Sequence, residues 1–495
     1  MEKWKGMKVS AFLLFLELLT GIALHAEVTL PAIFGDHMVL QQGTTLPIWG
    51  KAAPGEEVLV TLRQQSAQTV AAPNGSWRVM LRQLPVSPNA TTLVVQGNNR
   101  IEIQDVLLGD VWLCAGEGNM EFPLSDAVEG KDEQSGMGDG YLRFFLADKT
   151  PSLMPEGQGS GHWVVCTPDA AAAFSAVGYF FARDLRNARQ RPIGMIQCAW
   201  KQSPAQAWIS QQGLDAKPSF SRHLSTSGLS EAGQKTSSAL FNGMIHPLIP
   251  YAITGVIWYQ GESNEGLDAL EYRRLFPRLI TDWRKQWGQG PTPFFFVSPA
   301  GFGDEEGPVV EPFSSDNHHP SRALPWLREG AACALALPNT GMAAATDLGL
   351  PDELYPPDKL DVGRRLALLA RKRVYGEEIV DSGPAFQSMQ TEGAKIRVKF
   401  SNVGSGLTLG GSPFQREDVS PSIATLLTGF ALAGREGKWF PATGLIKGDT
   451  VLLSSDAVSH PTEVRYNWKG FAVGNLYNRE GLPATPFRSD TAQPE

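Results

Sequence analysis

The sequence predicts an α/β protein: a mostly parallel sheet covered on both faces, with a β-rich unit before it and another after it. Three observations carry this. Residues 27–105 alternate apolar and polar side chains around turn signals, as in "TLPIWGKAAPGEEVLVTL" with its Pro54–Gly55 turn. Residues 106–378 interleave short apolar runs with amphipathic stretches of helical period. Residues 379–495 return to alternation in "AKIRVKFSN", "GFALAG", "DTVLLSS" and "EVRYNW". A length of 495 residues accommodates three such parts at about 150 residues each.

In chain order, Lys3, Lys5 and Lys8 precede the apolar run "VSAFLLFLELLTGIALHA". Basic flank, apolar run and a closing small residue predict an export signal over residues 1–26, cleaved after Ala26, and a secreted or periplasmic protein. The competing reading is a membrane anchor, because Glu17 interrupts the run and Leu24 is large for a cleavage site. No later stretch approaches the ~18 apolar residues that span a bilayer, so no integral span is expected after cleavage. The unit over 27–105 reads as a small β-sandwich with its own core.

In the middle part, "FSAVGYFFARDLRNA" places Phe174, Val177, Phe180, Phe181 and Leu185 on one helical face. "RPIGMIQCAW" follows as a buried strand. "ITGVIWYQ", the helix "ALEYRRLFPRLITDWRKQW", the strand "PFFFVS", the strand "GMAAATDL" and the helix "DVGRRLALLARKRVYG" complete the alternation. Such sheets bind ligands outside the carboxyl ends of their strands. The loops after "VWLC", "IQCAW", "VIWYQ" and "AAATD" are therefore the places to look. Residues 301–325, rich in Gly, Pro and acidic residues, read as a long surface loop near that end.

The formal net charge is −8, which argues against nucleic acid as a partner, since phosphate binding needs a basic face. The four cysteines, Cys114, Cys166, Cys198 and Cys333, allow three full disulfide pairings, and the sequence does not choose among them. They show no metal-ligand spacing, so neither a zinc site nor another cofactor is expected.

The stretch "GDVWLCAGEGNMEFPL", Gly109 to Leu124, runs a strand into a tight loop of the kind that presents a nucleophile, yet the loop holds only Gly116, Glu117, Gly118 and Asn119. Together with "MVLQQGTTLPIWGKAAPGEEV", "IGMIQCAWKQSPAQAWIS", "FNGMIHPLIPYAITGVIWYQGESN", "DVGRRLALLA" and "VRYNWKGFAVGNLYNREGLPATPFRSD", it resembles the sialate O-acetylesterase family of secreted carbohydrate esterases. The resemblance implies an SGNH-hydrolase-type three-layer core and an O-acetylated sugar or other glycan as ligand. In that family the first block carries an attacking Ser, and Gly118 stands at its position. The family's "Asp-x-His-Pro" segment corresponds to "DELYPPDK", with Glu353 at the acid position and Tyr355 at the base position. Where the family has paired glycines after the Trp of the third quoted block, Lys201 and Gln202 follow Trp200.

Gly118 has no atom with which to form an acyl-enzyme. A phenol with a pKa near 10 stays protonated at neutral pH and cannot replace imidazole as a base poised near 7. Among the nearby hydroxyls of Ser125, Ser203 and Ser263, only Ser263 is a candidate substitute nucleophile, although no motif places a base beside it. His318 and His319 are candidate substitute bases, against the plainer reading of two solvated loop residues. His246 reads as structural. Glu117, Glu121 and Glu262 raise glycosidic acid–base chemistry, against the plainer reading of carboxylates that orient loops and ligand hydroxyls. Lys201 has two readings: a cation placed to pair with Glu117 or Glu353 or to attract a carboxylated sugar, or a solvated surface lysine. Trp112, Trp200, Trp208 and Trp258 are expected mostly to pack.

The expected binding set is Glu117, Asn119, Glu121, Lys201, Gln260, Glu262 and Asn264. The resulting expectation is a catalytically silent or impaired relative that retains glycan binding. The alternative is an active carbohydrate O-acetylesterase that uses displaced residues.

Overall fold

A computed structural model describes residues 27–130, 138–221, 233–264, 268–303, 320–410 and 426–491. The expected export signal, residues 1–26, lies outside these, as do His318 and His319. Among the described residues no helix is long and apolar enough to cross a membrane.

The central sheet is formed by β1 (Arg100–Gly116), β2 (Asp139–Ala147), β3 (Gly161–Cys166), β4 (Ile193–Ala199), β5 (Gly255–Tyr259), β6 (Phe294–Ser298) and β7 (Thr340–Ala344). Their order is β7-β6-β5-β1-β4-β2-β3, and every pairing is parallel except β2 with the edge strand β3. The parallel strands read as continuous apolar runs because both faces are covered. Trp112 and Cys114 of β1 point to one face, under α2 (Ala176–Arg189) and α5 (Leu360–Arg373). Val111, Leu113 and Ala115 point to the other, under α3 (Asp268–Trp287) and α4 (Pro320–Ala332). The result is the three-layer α/β core that the sequence predicted. A one-turn helix, α1 (Gly118–Glu121), follows β1 directly.

Two expectations are corrected. Helix α4 starts at Pro320, inside the stretch read as a loop over 301–325. Proline fits a first helical turn, where its missing N–H is not needed, and the loop signals had masked this start. The N-terminal strands also do not enclose a separate core. Val58, Val60, Leu93 and Val95 belong to one hydrophobic cluster with Trp208, Phe276 and Trp283 of the α/β part. The physical link is β1, 17 residues long, whose first half pairs antiparallel with Ser87–Gln96 and whose second half is a central strand of the parallel sheet. The 105–106 boundary drawn from the sequence falls inside this strand.

The C-terminal part packs two four-stranded antiparallel sheets and a two-stranded one around Ile396, Val398, Leu432, Val451, Leu453, Val464 and Leu476, a cluster of its own. It is tied to the core through Arg328 of α4. The buried Arg328 guanidinium donates to the carbonyls of Pro299 and Ala300 on one side and Lys469 and Gly470 on the other, at 2.6–2.9 Å. All four cysteines are free thiols, three buried and Cys333 exposed.

Candidate functional site

Strand β1 lies where the strand order reverses, with β4 on one side and β5 on the other, so its carboxyl end opens the crevice in which such sheets bind ligands. Gly116 ends the strand at φ +146, and a Cβ there would lie 2.1 Å from the Tyr259 carbonyl oxygen. Only glycine permits this exit. Both neighbours hold the end: Glu117 N donates to Tyr259 O at 3.0 Å, and Trp200 N donates to Gly116 O at 3.1 Å.

Gly118 opens α1 and is buried. A Cβ at this position would meet the ring of Tyr355 at 2.3 Å from Cε1, 2.7 Å from Cζ and 3.0 Å from Cδ1. The phenol ring therefore fills the space into which a side chain at 118 would project. Lys201 covers the ring, its ammonium 4.5 Å from the ring centre. Among the described residues Lys201 makes no ion pair with Glu117 or Glu353, which corrects the pairing expected from its charge. Glu353 instead accepts the Tyr355 backbone N–H at 3.0 Å. Burial, and then the carboxylates Glu117, Glu262, Glu121 and Glu353, push the Tyr355 phenol well above its ordinary value. Thus Gly118, Glu353, Tyr355 and Lys201 converge.

Beneath the ring lies a dry polar layer. Glu117 is fully buried; its Oε1 accepts the N–H groups of Gly261 (2.9 Å) and Ser263 (3.0 Å), and its Oε2 accepts the Ser263 hydroxyl. Asn119 Nδ2 donates to Glu262 Oε1 at 2.6 Å and to Leu354 O at 3.2 Å. The second Glu262 oxygen is buried without a hydrogen bond. Burial, followed by the adjacent Glu262 carboxyl, raises Glu117 well above the usual carboxylate range. Two neighbouring buried carboxyls cannot both ionise at modest cost.

Lys359, missed from the sequence, completes the layer: its Nζ donates to Asn119 Oδ1 at 2.5 Å and lies 4.8 Å from the Phe122 ring centre. Burial lowers it to about 7, against the pull of Glu262, Asp358 and Glu353. The signal was its place beside Asp358 immediately before the apolar period of α5, where a lysine has little access to water.

The other candidates fall elsewhere. Gln260 and Asn264 are buried and bonded to their neighbours. Asn264 Oδ1 accepts from Ala205 N (2.8 Å) and Gln260 Nε2 (2.7 Å), Asn264 Nδ2 donates to Gln206 Oε1 (2.7 Å), and Gln260 Oε1 accepts from Tyr272 (2.9 Å). Ser203 Oγ donates to Trp200 O at 2.6 Å, and Ser125 Oγ donates to Asp126 at 3.0 Å. His246 bonds the Glu156 carbonyl at 2.6 Å and holds a loop. Trp112, Trp208 and Trp258 are fully buried, whereas Trp200 is half-buried. Glu121 faces outward; Oε1 pairs with Lys149 and Oε2 accepts Lys201 N at 2.5 Å. Glu117, Glu121 and Glu262 therefore do not flank an open cleft as glycosidic acid and base would; two are sealed and the third is paired.

A family model described as "Carbohydrate esterase, sialic acid-specific acetylesterase" matches residues 163–365. Sialate O-acetylesterase of Homo sapiens is 30% identical over 494 aligned residues, covering 91% of this chain and 90% of that one. The protein of the same name from Pongo abelii is likewise 30% identical over 91% and 90%. This chain belongs to the sialate O-acetylesterase family. A crystal structure of a carbohydrate acetylesterase from Xanthomonas citri superposes with a TM-score of 0.83 at 36% identity, covering 94% of this chain and 100% of that one. The fold of this family member is thus shared by a solved carbohydrate esterase over nearly its full length.

Proposed function

We propose that this member of the sialate O-acetylesterase family is silent or strongly impaired in ester hydrolysis at the Gly118 corner and retains glycan binding at the carboxyl end of its sheet. The observation that carries this reading is the Tyr355 ring. It fills the volume where the family's attacking side chain would stand, so both the reactive oxygen and the room for it are gone. Loss of a serine hydrolase nucleophile alone lowers turnover by about 10⁶.

Two further features support the reading. The group at the base position is a phenol whose proton is held more firmly than in water. The backbone N–H of Lys201, where the family resemblance places one of two glycines, one of which offers its N–H to the oxyanion, is already bonded to Glu121 Oε2 at 2.5 Å. Gln202 keeps a left-handed backbone, φ 61, that a glycine would adopt without strain.

The alternative, hydrolysis by displaced groups, has one observation in its favour: Ser263 bonds a carboxyl group, Glu117. The other oxygen of that carboxyl already accepts the N–H groups of Gly261 and Ser263, so the group reads as a clamp on the 261–263 loop rather than as a base for the serine. The experiment is to incubate the purified protein with a chromogenic acetyl ester and with an O-acetylated sialic acid. Release at the buffer rate is expected. Turnover well above buffer that disappears in Ser263→Ala overturns the silent reading.

A further inference from the structure

With the 118 corner filled by Tyr355, space at the carboxyl end of the sheet is found on the far side of Glu121. A cavity of about 280 Å³ opens between the ends of β2 and β4, beside α1. Three polar side chains face it, Glu121, Lys149 and Gln197, and three alanines, Ala147, Ala173 and Ala199, leave its volume. Glu121 is anchored from behind by Lys201 N and from the side by Lys149, so its carboxylate is fixed rather than swinging. Gln197 Oε1 accepts Ser175 N at 2.8 Å, which orients the amide, and its nitrogen has no hydrogen-bond partner among the described residues. Lys149 reaches from Glu121 toward Trp200, its ammonium 5.7 Å from that ring centre.

The chemistry of the lining selects a class of ligand. A fixed carboxylate accepts hydrogen bonds, while the ammonium and the amide nitrogen donate them. A hydroxyl does both, so adjacent hydroxyls on one ring satisfy all three groups. Glu121 and Lys149 neutralise each other, so the lining offers a carboxylated ligand no net attraction, and a purely apolar ligand strands an ion pair and an amide. The volume lies just under the range of about 300–1,000 Å³ typical of pockets for drug-sized ligands, so it admits one ring rather than a chain.

We infer that this cavity is a binding site for a single uncharged sugar ring, separate from the Gly118 corner. The inference rests on the glycan-binding part of the reading above and deepens it, since it names the place and the class of sugar. It does not depend on whether ester hydrolysis is lost.

The test titrates the full protein with methyl β-D-galactopyranoside, methyl β-D-glucopyranoside and methyl β-D-xylopyranoside, and in parallel with N-acetylneuraminic acid, by saturation-transfer NMR and calorimetry. An oligosaccharide bearing the preferred ring at its non-reducing end distinguishes a free sugar from the tip of a glycan. Ala173 is exposed, so Ala173→Leu fills the cavity without disturbing the core; Lys149→Met removes the ammonium. Thermal melting confirms that both variants fold.

The expected result is saturable binding of at least one neutral glycoside, weakened about tenfold in Lys149→Met, the size of one lost charged hydrogen bond, and abolished in Ala173→Leu, which occupies the space of the ring. Neutral-sugar binding that neither variant changes overturns this site and leaves glycan binding intact. No binding of any sugar overturns both. Preference for N-acetylneuraminic acid over every neutral glycoside overturns the uncharged class. Ester turnover at the Gly118 corner would overturn the silent reading and leave this site standing.

Discussion

Replacing Gly118 with alanine should destabilise the protein, and the destabilisation should vanish when Tyr355 is removed. The new Cβ would stand 2.3 Å from Tyr355 Cε1. Carbon atoms settle at about 3.5–4.0 Å, so the overlap exceeds about 1 Å and the ring must move by that much. The ring is half-buried and can tilt outward, but only by leaving Lys201 and the packing against α1. Overpacking of this kind costs about 1–3 kcal/mol. Alanine in place of glycine within a helix returns about 0.5–1 kcal/mol. The net expectation is a loss of about 1–2 kcal/mol in the natural background. In a Tyr355→Ala background the same substitution should be neutral or stabilising by about 0.5–1 kcal/mol. The assay is a four-protein cycle of urea unfolding monitored at the transition that includes the α/β core, with cooperativity checked by two probes. Equal effects of Gly118→Ala in the two backgrounds would mean that the ring does not occupy the space beside Gly118, which refutes the proposed filling of that corner.

Four further outcomes are expected. Gly118→Ser alone should yield no esterase, whereas Gly118→Ser, Glu353→Asp and Tyr355→His together should raise chromogenic acetyl ester turnover above the natural protein; initial rates decide it. Burial, with Asp361 nearby, lifts Asp358 from 3.8 to about 7, so the folded chain holds a proton that the unfolded chain has lost. That contribution to stability is complete below about pH 4 and fades as pH rises to about 7, and melting curves across this window should be flatter in Asp358→Asn. Arg365 binds both Asp347 oxygens at 2.7 Å with side-chain exposures of 8% and 5%, so Arg365→Met strands a buried carboxylate and should cost about 3–5 kcal/mol in thermal unfolding. Cys333 alone is exposed, so Ellman's reagent should titrate one thiol quickly in the native protein and the other three only after denaturation.

The place of the crevice was legible because it is written in local patterns. The strand-to-loop signature around "VWLCAGEGN" located it, and Gly118 and Tyr355 stood out because a glycine and a phenol cannot perform the roles that the family resemblance implies for their positions. Less was legible wherever meaning depends on what a side chain meets across the fold. Gln260 and Asn264 looked like ligand-facing amides and proved to be bonded to each other and to the loop at Ala205 and Gln206. Lys201 looked like a partner for a carboxylate and instead caps an aromatic ring. Lys359, unremarked in the sequence, sits in the dry layer under the site.

By itself the sequence determined the α/β class, the order of elements, the family and the absence of a side chain at 118. All of these follow from residue type and short-range period, which the chain carries wherever it folds. Only the tertiary structure decided that the Tyr355 ring fills the space beside Gly118, that β1 joins the N-terminal strands and the α/β core into one hydrophobic cluster, and that a cavity opens beyond Glu121. Those facts arise from contacts between residues far apart in sequence, such as Gly118 with Tyr355, and close packing fixes them only when the strands stand side by side.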